Sequence, residues 1–203
     1  KEELSRDPID QSLFLQSLFD TGRHEEILNL KPNEVVCQCA YNYYMGRICK
    51  EQRQYTEAIQ YLKKFLDEVS GRSYLKYPQD NYRIVAGAYC LQIDMYFELL
   101  DYENFGKTYA EFRGKGLEHY TNKTVLERIY KRLPDAAKKM IEVGEHKIAA
   151  ACLSYYVGDE KKYKVNADAA TIKKLRRELA QVKHNKTYLL VRGITWLPRK
   201  IRG

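Results

Sequence analysis

The 203-residue chain is 44% hydrophobic and 31% charged, the balance of a soluble globular protein with room for one sizeable core or a short array of repeats. It has no apolar run of about 18 residues, which excludes an ordinary membrane-spanning helix. Its charge of +8 is unevenly divided: residues 161–203 hold thirteen Lys or Arg against Asp168 and Glu178, a net of +11, so residues 1–160 carry −3.

The chain starts at Lys1 without a charged and then apolar leader and stops at "RKIRG". It reads as a fragment of an intracellular protein, cytoplasmic or nuclear, with a lost targeting segment left open. Five cysteines, at 37, 39, 49, 90 and 152, are odd in number and follow no disulfide spacing. They read as reduced, small apolar residues. "CQC" has no second ligand pair after it, so no metal is expected.

In chain order, Asp7-Pro8 is a helix start, a capping carboxylate followed by proline at the first helical position. Ile9, Leu13, Phe14 and Leu18 follow at helical spacing. Gly22 ends that helix and "RHEEILNL" begins a short second one. Pro32-Asn33 breaks the chain and offers Asn33 as the cap of a helix reaching about Lys50. Another helix is expected over about 56–68, stopped by Ser70-Gly71. "GRSYLKYPQDN" reads as a loop. Helices resume over about 82–100 and 103–112, after which Gly114 and Gly116 loosen the chain. Thr124 and Glu127 form a capping box, and Leu133-Pro134 is expected to break the helix that follows. "DAAKKMIEV" and "HKIAAACLSYYV" then read as two short helices around Gly144. Almost nothing before residue 160 reads as strand.

Four turn sequences can be superimposed: "DTGRHEEI", "KEQRQYTEAI", "ELLDYENF" and "EVGEHKIA". Each has an aromatic or histidine (His24, Tyr55, Tyr102, His146) and, three residues on, an apolar residue (Ile27, Ala58, Phe105, Ala149). Helical hairpins recurring at 30–50 residues imply stacking, because one hairpin cannot bury its apolar face alone. The expected fold is all-α, a right-handed α-solenoid of about four helical hairpins over residues 1–160. Residues 161–203 would add a basic C-terminal helix and tail.

"YNYYMGRICKEQRQYTEAIQYLKKFL", residues 41–66, resembles a tetratricopeptide repeat. Met45-Gly46 stands where that family has Leu-Gly, Tyr55 and Ala58 keep the family spacing from Gly46, and Leu62 matches a later large apolar position. Asn42, Cys49 and Phe65 depart from the pattern, and the other three hairpins match it weakly. The resemblance implies that Gly46 and Ala58 let the two helices of a hairpin approach closely. It also implies a scaffold that binds partner segments in a groove lined by first helices, which makes Tyr43, Arg47 and Lys50 the groove candidates. Chaperone-binding members clamp a terminal carboxylate with Lys and Asn. Tyr43 and Arg47 stand at those positions here, so that particular task is not implied.

No phosphate loop, nucleophile elbow or zincin motif is present. The four histidines are far apart, and His24 and His146 read as packing residues between hairpin helices. Paired carboxylates such as Glu25-Glu26 read as solvated helix ends. The chain is therefore expected to be non-enzymatic, with no cofactor. Its 18 tyrosines read mainly as packing residues with their hydroxyls at the edge.

The basic end opens with a helix over about 169–183, capped by Asp168 or Asn166. Ile172, Leu175, Leu179 and Val182 form a narrow apolar stripe, with Lys173, Lys174, Arg176, Arg177 and Lys183 around it. "TYLLV" and "ITWL" on either side of Arg192-Gly193 fit a short β-hairpin or an extended docking tail. Arg199, Lys200 and Arg202 complete the cationic set. A solvated cap, a dock for an acidic protein and a nucleic-acid contact all remain open. Helical hairpins ending in a basic helix also resemble the helical part of PCI-domain subunits, which build large assemblies. The expected partners are other proteins of a multi-subunit complex, with nucleic acid as the alternative.

Overall fold

The computed structural model describes residues 8–30, 35, 37–71 and 78–159, with isolated positions over 170–181. Among these residues the regular structure is all-α. It comprises α1 (Pro8–Asp20), α2 (His24–Leu28), α3 (Gln38–Glu51), α4 (Tyr55–Gly71), α5 (Pro78–Glu98), α6 (Tyr102–Gly114), α7 (Lys123–Glu142) and α8 (His146–Asp159). A 3-10 turn, Leu117–Tyr120, lies between α6 and α7. The chain forms two compact units, Lys1–Ala88 and Tyr89–Gly203, and the division falls inside α5.

Four turns pair the helices as hairpins in chain order, and all four have the same backbone. Gly22, Arg53, Leu100 and Gly144 adopt left-handed φ values of 74°, 61°, 59° and 86°. The next amide in each case, that of Arg23, Gln54, Asp101 or Glu145, donates five residues back to the carbonyl of Leu18, Cys49, Tyr96 or Met140. The left-handed residue itself donates three back, to Phe19, Lys50, Phe97 or Ile141. These paired bonds form a Schellman motif, which satisfies carbonyls left over at a helix end and aims the chain into the next helix. Ile27, Ala58, Phe105 and Ala149, matched from sequence, are each 0% exposed. His24, Tyr55, Tyr102 and His146 are each half-buried.

In the first unit α1 packs on α2 and α3, and α3 lies along α4. A Cβ built on Gly46 would fall 2.7 Å from Leu62 Cγ and 3.3 Å from the Ala58 carbonyl oxygen. The close approach expected at Gly46 and Ala58 is therefore present. The stripe expected on α1 is shifted. Leu13 is 61% exposed, and the buried positions are Gln11, Leu15, Leu18 and Phe19. Gln11 is drawn inward because its Oε1 accepts the Cys37 amide at 2.8 Å. That bond serves the start of α3, which begins at Gln38 rather than directly after Asn33; Asn33 lies outside the described residues.

In the second unit α7 packs along α8, and α6 touches both. Two expectations fail on α7. Its cap is Asn122, whose Oδ1 takes the Thr124 amide at 2.8 Å, so the Thr124–Glu127 box is not the cap. The helix also runs through Pro134 instead of breaking there. A mid-helix proline costs about 3 kcal/mol. Leu133, Ala136, Ala137 and Met140 around it are all 0% exposed, and burial of a Leu or Met side chain alone contributes about 1.5–3 kcal/mol. Continuous packing therefore outweighs the local penalty. Helix α5 likewise starts earlier than expected, with Pro78 in its first turn.

Candidate functional site

Tyr43, Arg47 and Lys50 recur at intervals of four and three, so they share one face of α3. All three are half-buried. The Arg47 guanidinium carbon lies 3.9 Å above the Phe19 ring of α1 and 5.8 Å from the Tyr43 ring. Stacking of this kind holds the cation in place. Tyr43 packs against Phe65 at 5.2 Å and Tyr44 at 5.4 Å. A Cβ on Gly87 would come to 3.5 Å from its hydroxyl. Burial raises the Tyr43 pKa, with Arg47 acting in the opposite direction. The two residues thus form one braced unit, with Lys50 a turn further along the helix. His24 stacks on the same Phe19 at 4.8 Å, with its Nδ1 3.6 Å from Glu51. Its sequence reading as a packing residue agrees with this placement.

A second polar cluster, in the other unit, was not singled out from sequence. Asp94 of α5 has a side chain only 9% exposed. It accepts from Arg128 and, at 2.8 Å, from Arg132 of α7. Arg132 also donates to Glu98 at 2.7 Å and lies 4.6 Å from the Phe97 ring centre. Asp94 precedes Leu100 by six residues, as Arg47 precedes Arg53, so the two occupy the same register of their hairpins. The available signal was a matched ladder: acids at 94 and 98, arginines at 128 and 132. An i,i+4 pair on each of two first helices permits cross-helix pairing. Charge on α7 looked like a solvated face until α5 was placed beside it.

Of the basic residues picked from sequence, Lys173, Lys174 and Arg177 have helical backbone and are exposed. Arg176, Lys183, Arg192, Arg199, Lys200 and Arg202 lie outside the described residues, as does the segment read as a hairpin or docking tail. Among the described residues no His, Cys, Asp and Glu group could hold a metal ion, and no helix is long and apolar enough to cross a membrane. No protein-family model, curated protein or solved structure matches the chain.

Burial raises the thiol pKa of Cys90 from 9.0 to about 12, against a hydrogen bond with Thr121, and that of Cys152 from 9.0 to about 12. Burial likewise lifts Tyr44 from 10.0 to about 12, with Tyr43 and Asp20 adding to it and Arg47 opposing. Each group keeps its proton longer when folded than when unfolded. The unfolded chain therefore binds fewer protons between these values, and stability falls as pH rises through that window. Thermal melts should show no effect from these groups below pH 9 and a progressive loss of Tm from pH 9 to 12. A Tm unchanged to pH 12 would contradict the burial of all three.

Proposed function

We propose that this chain is a non-enzymatic protein–protein interaction scaffold, a subunit or adaptor of a larger complex. In this reading its hairpins stack as a right-handed, tetratricopeptide-like solenoid. The face of α3 around Tyr43, Arg47 and Lys50 receives a partner segment. The basic segment 161–203 contacts an acidic partner. The observation that carries the reading is the fourfold recurrence of one turn, with a fully buried residue at the same place after each. Such a unit cannot close its own apolar face and is built to be repeated.

A second reading, an RNA- or DNA-binding helical repeat that includes a PCI-like assembly subunit, draws on Lys173, Lys174 and Arg177. These are exposed over two consecutive helical turns in a segment of net +11. Dense exposed cations are favoured on a phosphate backbone by counterion release.

The experiment is to capture the partner from a native extract at physiological salt and titrate it against the chain with Lys173, Lys174, Arg176 and Arg177 all changed to Gln. Stability should stay within about ±0.5 kcal/mol, as expected for exposed surface changes. Affinity should fall and its salt dependence flatten. With nucleic acid the loss should be similar for all sequences, and the log–log salt slope should drop by up to about 0.9 per lost phosphate contact. With a protein the loss should be confined to that partner. Unchanged affinity and slope would reduce the basic helix to a solvated cap.

A further inference from the structure

The four turns share a backbone but not a surface. At the two tip positions the first turn carries Thr21 and Gly22, and the second carries Gln52 and Arg53. The third carries Leu99 and Leu100, and the fourth Val143 and Gly144. Leu99 is 43% exposed, Leu100 67% and Val143 74%. Leu100 also sits at φ 59°, a left-handed conformation that costs a branched side chain and that glycine adopts freely. Glycine fills that position in two of the four turns. A leucine there is unfavourable for both backbone and solvation, which is the kind of local cost that marks a surface kept for binding.

The third and fourth turns belong to neighbouring hairpins of the second unit. Gly106, early in α6, lies against Ile148 of α8 and Met140 of α7, a Cβ there meeting Met140 Cε at 3.1 Å. The two turn segments, 98–103 and 142–146, contain Glu98, Asp101, Glu103, Glu142 and Glu145, and no Lys or Arg. Lys107, Arg132 and Lys139 pair with three of these from further back on their helices. Exposed pairs of that kind are weak and screened. The tip therefore presents aliphatic side chains set among carboxylates.

We propose that Leu99, Leu100 and Val143 form a docking edge for a partner segment that is apolar and cationic, separate from the α3 face and from the basic segment. Charge complementarity selects that occupant. An anionic membrane or a nucleic acid would meet carboxylates here, and a neutral apolar segment would leave them unanswered. The proposal stands whether or not the α3 face binds anything.

The test uses the full chain and two fluorescent 16-residue helical peptides, one of Leu and Lys and one of Leu and Glu, matched in apolar content. The chain carries +8, so the Leu/Lys peptide gains nothing from overall charge. It should bind wild type at least tenfold more tightly than the Leu/Glu peptide does. Leu100→Gly and, separately, Val143→Ser should each weaken it at least tenfold, while the quadruple Lys/Arg→Gln variant leaves it unchanged. Leu100→Gly should also raise Tm, which separates lost docking from lost fold. The proposal is overturned if both tip variants bind as wild type, if the two peptides bind equally, or if Leu100→Gly lowers Tm. It is overturned too if the chain self-associates in sedimentation and Leu100→Gly is what abolishes it, because the occupant would then be a second copy.

Discussion

Replacing Tyr130 by alanine is expected to destabilise the fold by about 3–5 kcal/mol, the range for removing a large buried aromatic. The ring is 1% exposed and stacks on Tyr156 at 4.6 Å between centroids. Its hydroxyl donates to the Tyr156 carbonyl. That carbonyl lies in the last turn of α8, where the helix cannot supply its own donors. One side chain thus ties α7 to α8 by packing and closes a helix end by hydrogen bonding. Tyr130→Phe separates the two effects. It keeps the ring and leaves a buried acceptor without the hydroxyl, at a cost of about 1–3 kcal/mol. Urea denaturation of both variants measures this directly. A total stability of about 5–15 kcal/mol makes the alanine variant marginal or unfolded at room temperature. If alanine and phenylalanine cost the same, the stacking contributes little and the account of the α7–α8 contact fails.

The hairpin turns were legible in the sequence because their signal is local. An aromatic or histidine followed by a small or apolar residue marked all four, and glycine marked Gly22 and Gly144. Arg53 and Leu100 hid the same left-handed turn, because nothing in their side chains announces φ near 60°. Long-range effects were not legible. Gln11 is buried by an amide 26 residues away, and Pro134 stays helical because α8 covers its neighbours. The α3 candidates were found because family resemblance names positions. The Asp94–Arg128–Arg132 cluster was missed because it depends on two helices being side by side. The docking edge was missed for a related reason: exposure of Leu99, Leu100 and Val143 is a property of the folded turns, not of an apolar residue in a list of periodic positions.

Gly46→Ala should destabilise the α3–α4 hairpin by about 1–2 kcal/mol, even though alanine is the better helix former. A glycine in a helix interior gives up about 0.5–1 kcal/mol relative to alanine, so an uncrowded site would gain from the change. Here the added methyl would sit 2.7 Å from Leu62 Cγ and 2.8 Å from Leu62 Cδ2. Leu62 is 0% exposed and has no open space to retreat into. The Ala58 carbonyl, 3.3 Å from the same point, belongs to the backbone of α4 and moves only with the helix. Overpacking of this kind costs about 1–3 kcal/mol and exceeds the propensity gain. The cause can be tested by shrinking the obstruction. Leu62→Ala alone should cost about 2–5 kcal/mol through the cavity it leaves. In the double variant the Gly46→Ala methyl occupies part of that cavity, so the combined loss should fall short of the sum by about 1 kcal/mol or more. Chemical denaturation of the four proteins in the cycle measures that coupling. Strict additivity, or a Gly46→Ala variant more stable than wild type, would mean that the two helices do not depend on glycine for their approach. The resemblance of residues 41–66 to a tetratricopeptide hairpin would then lose its physical basis.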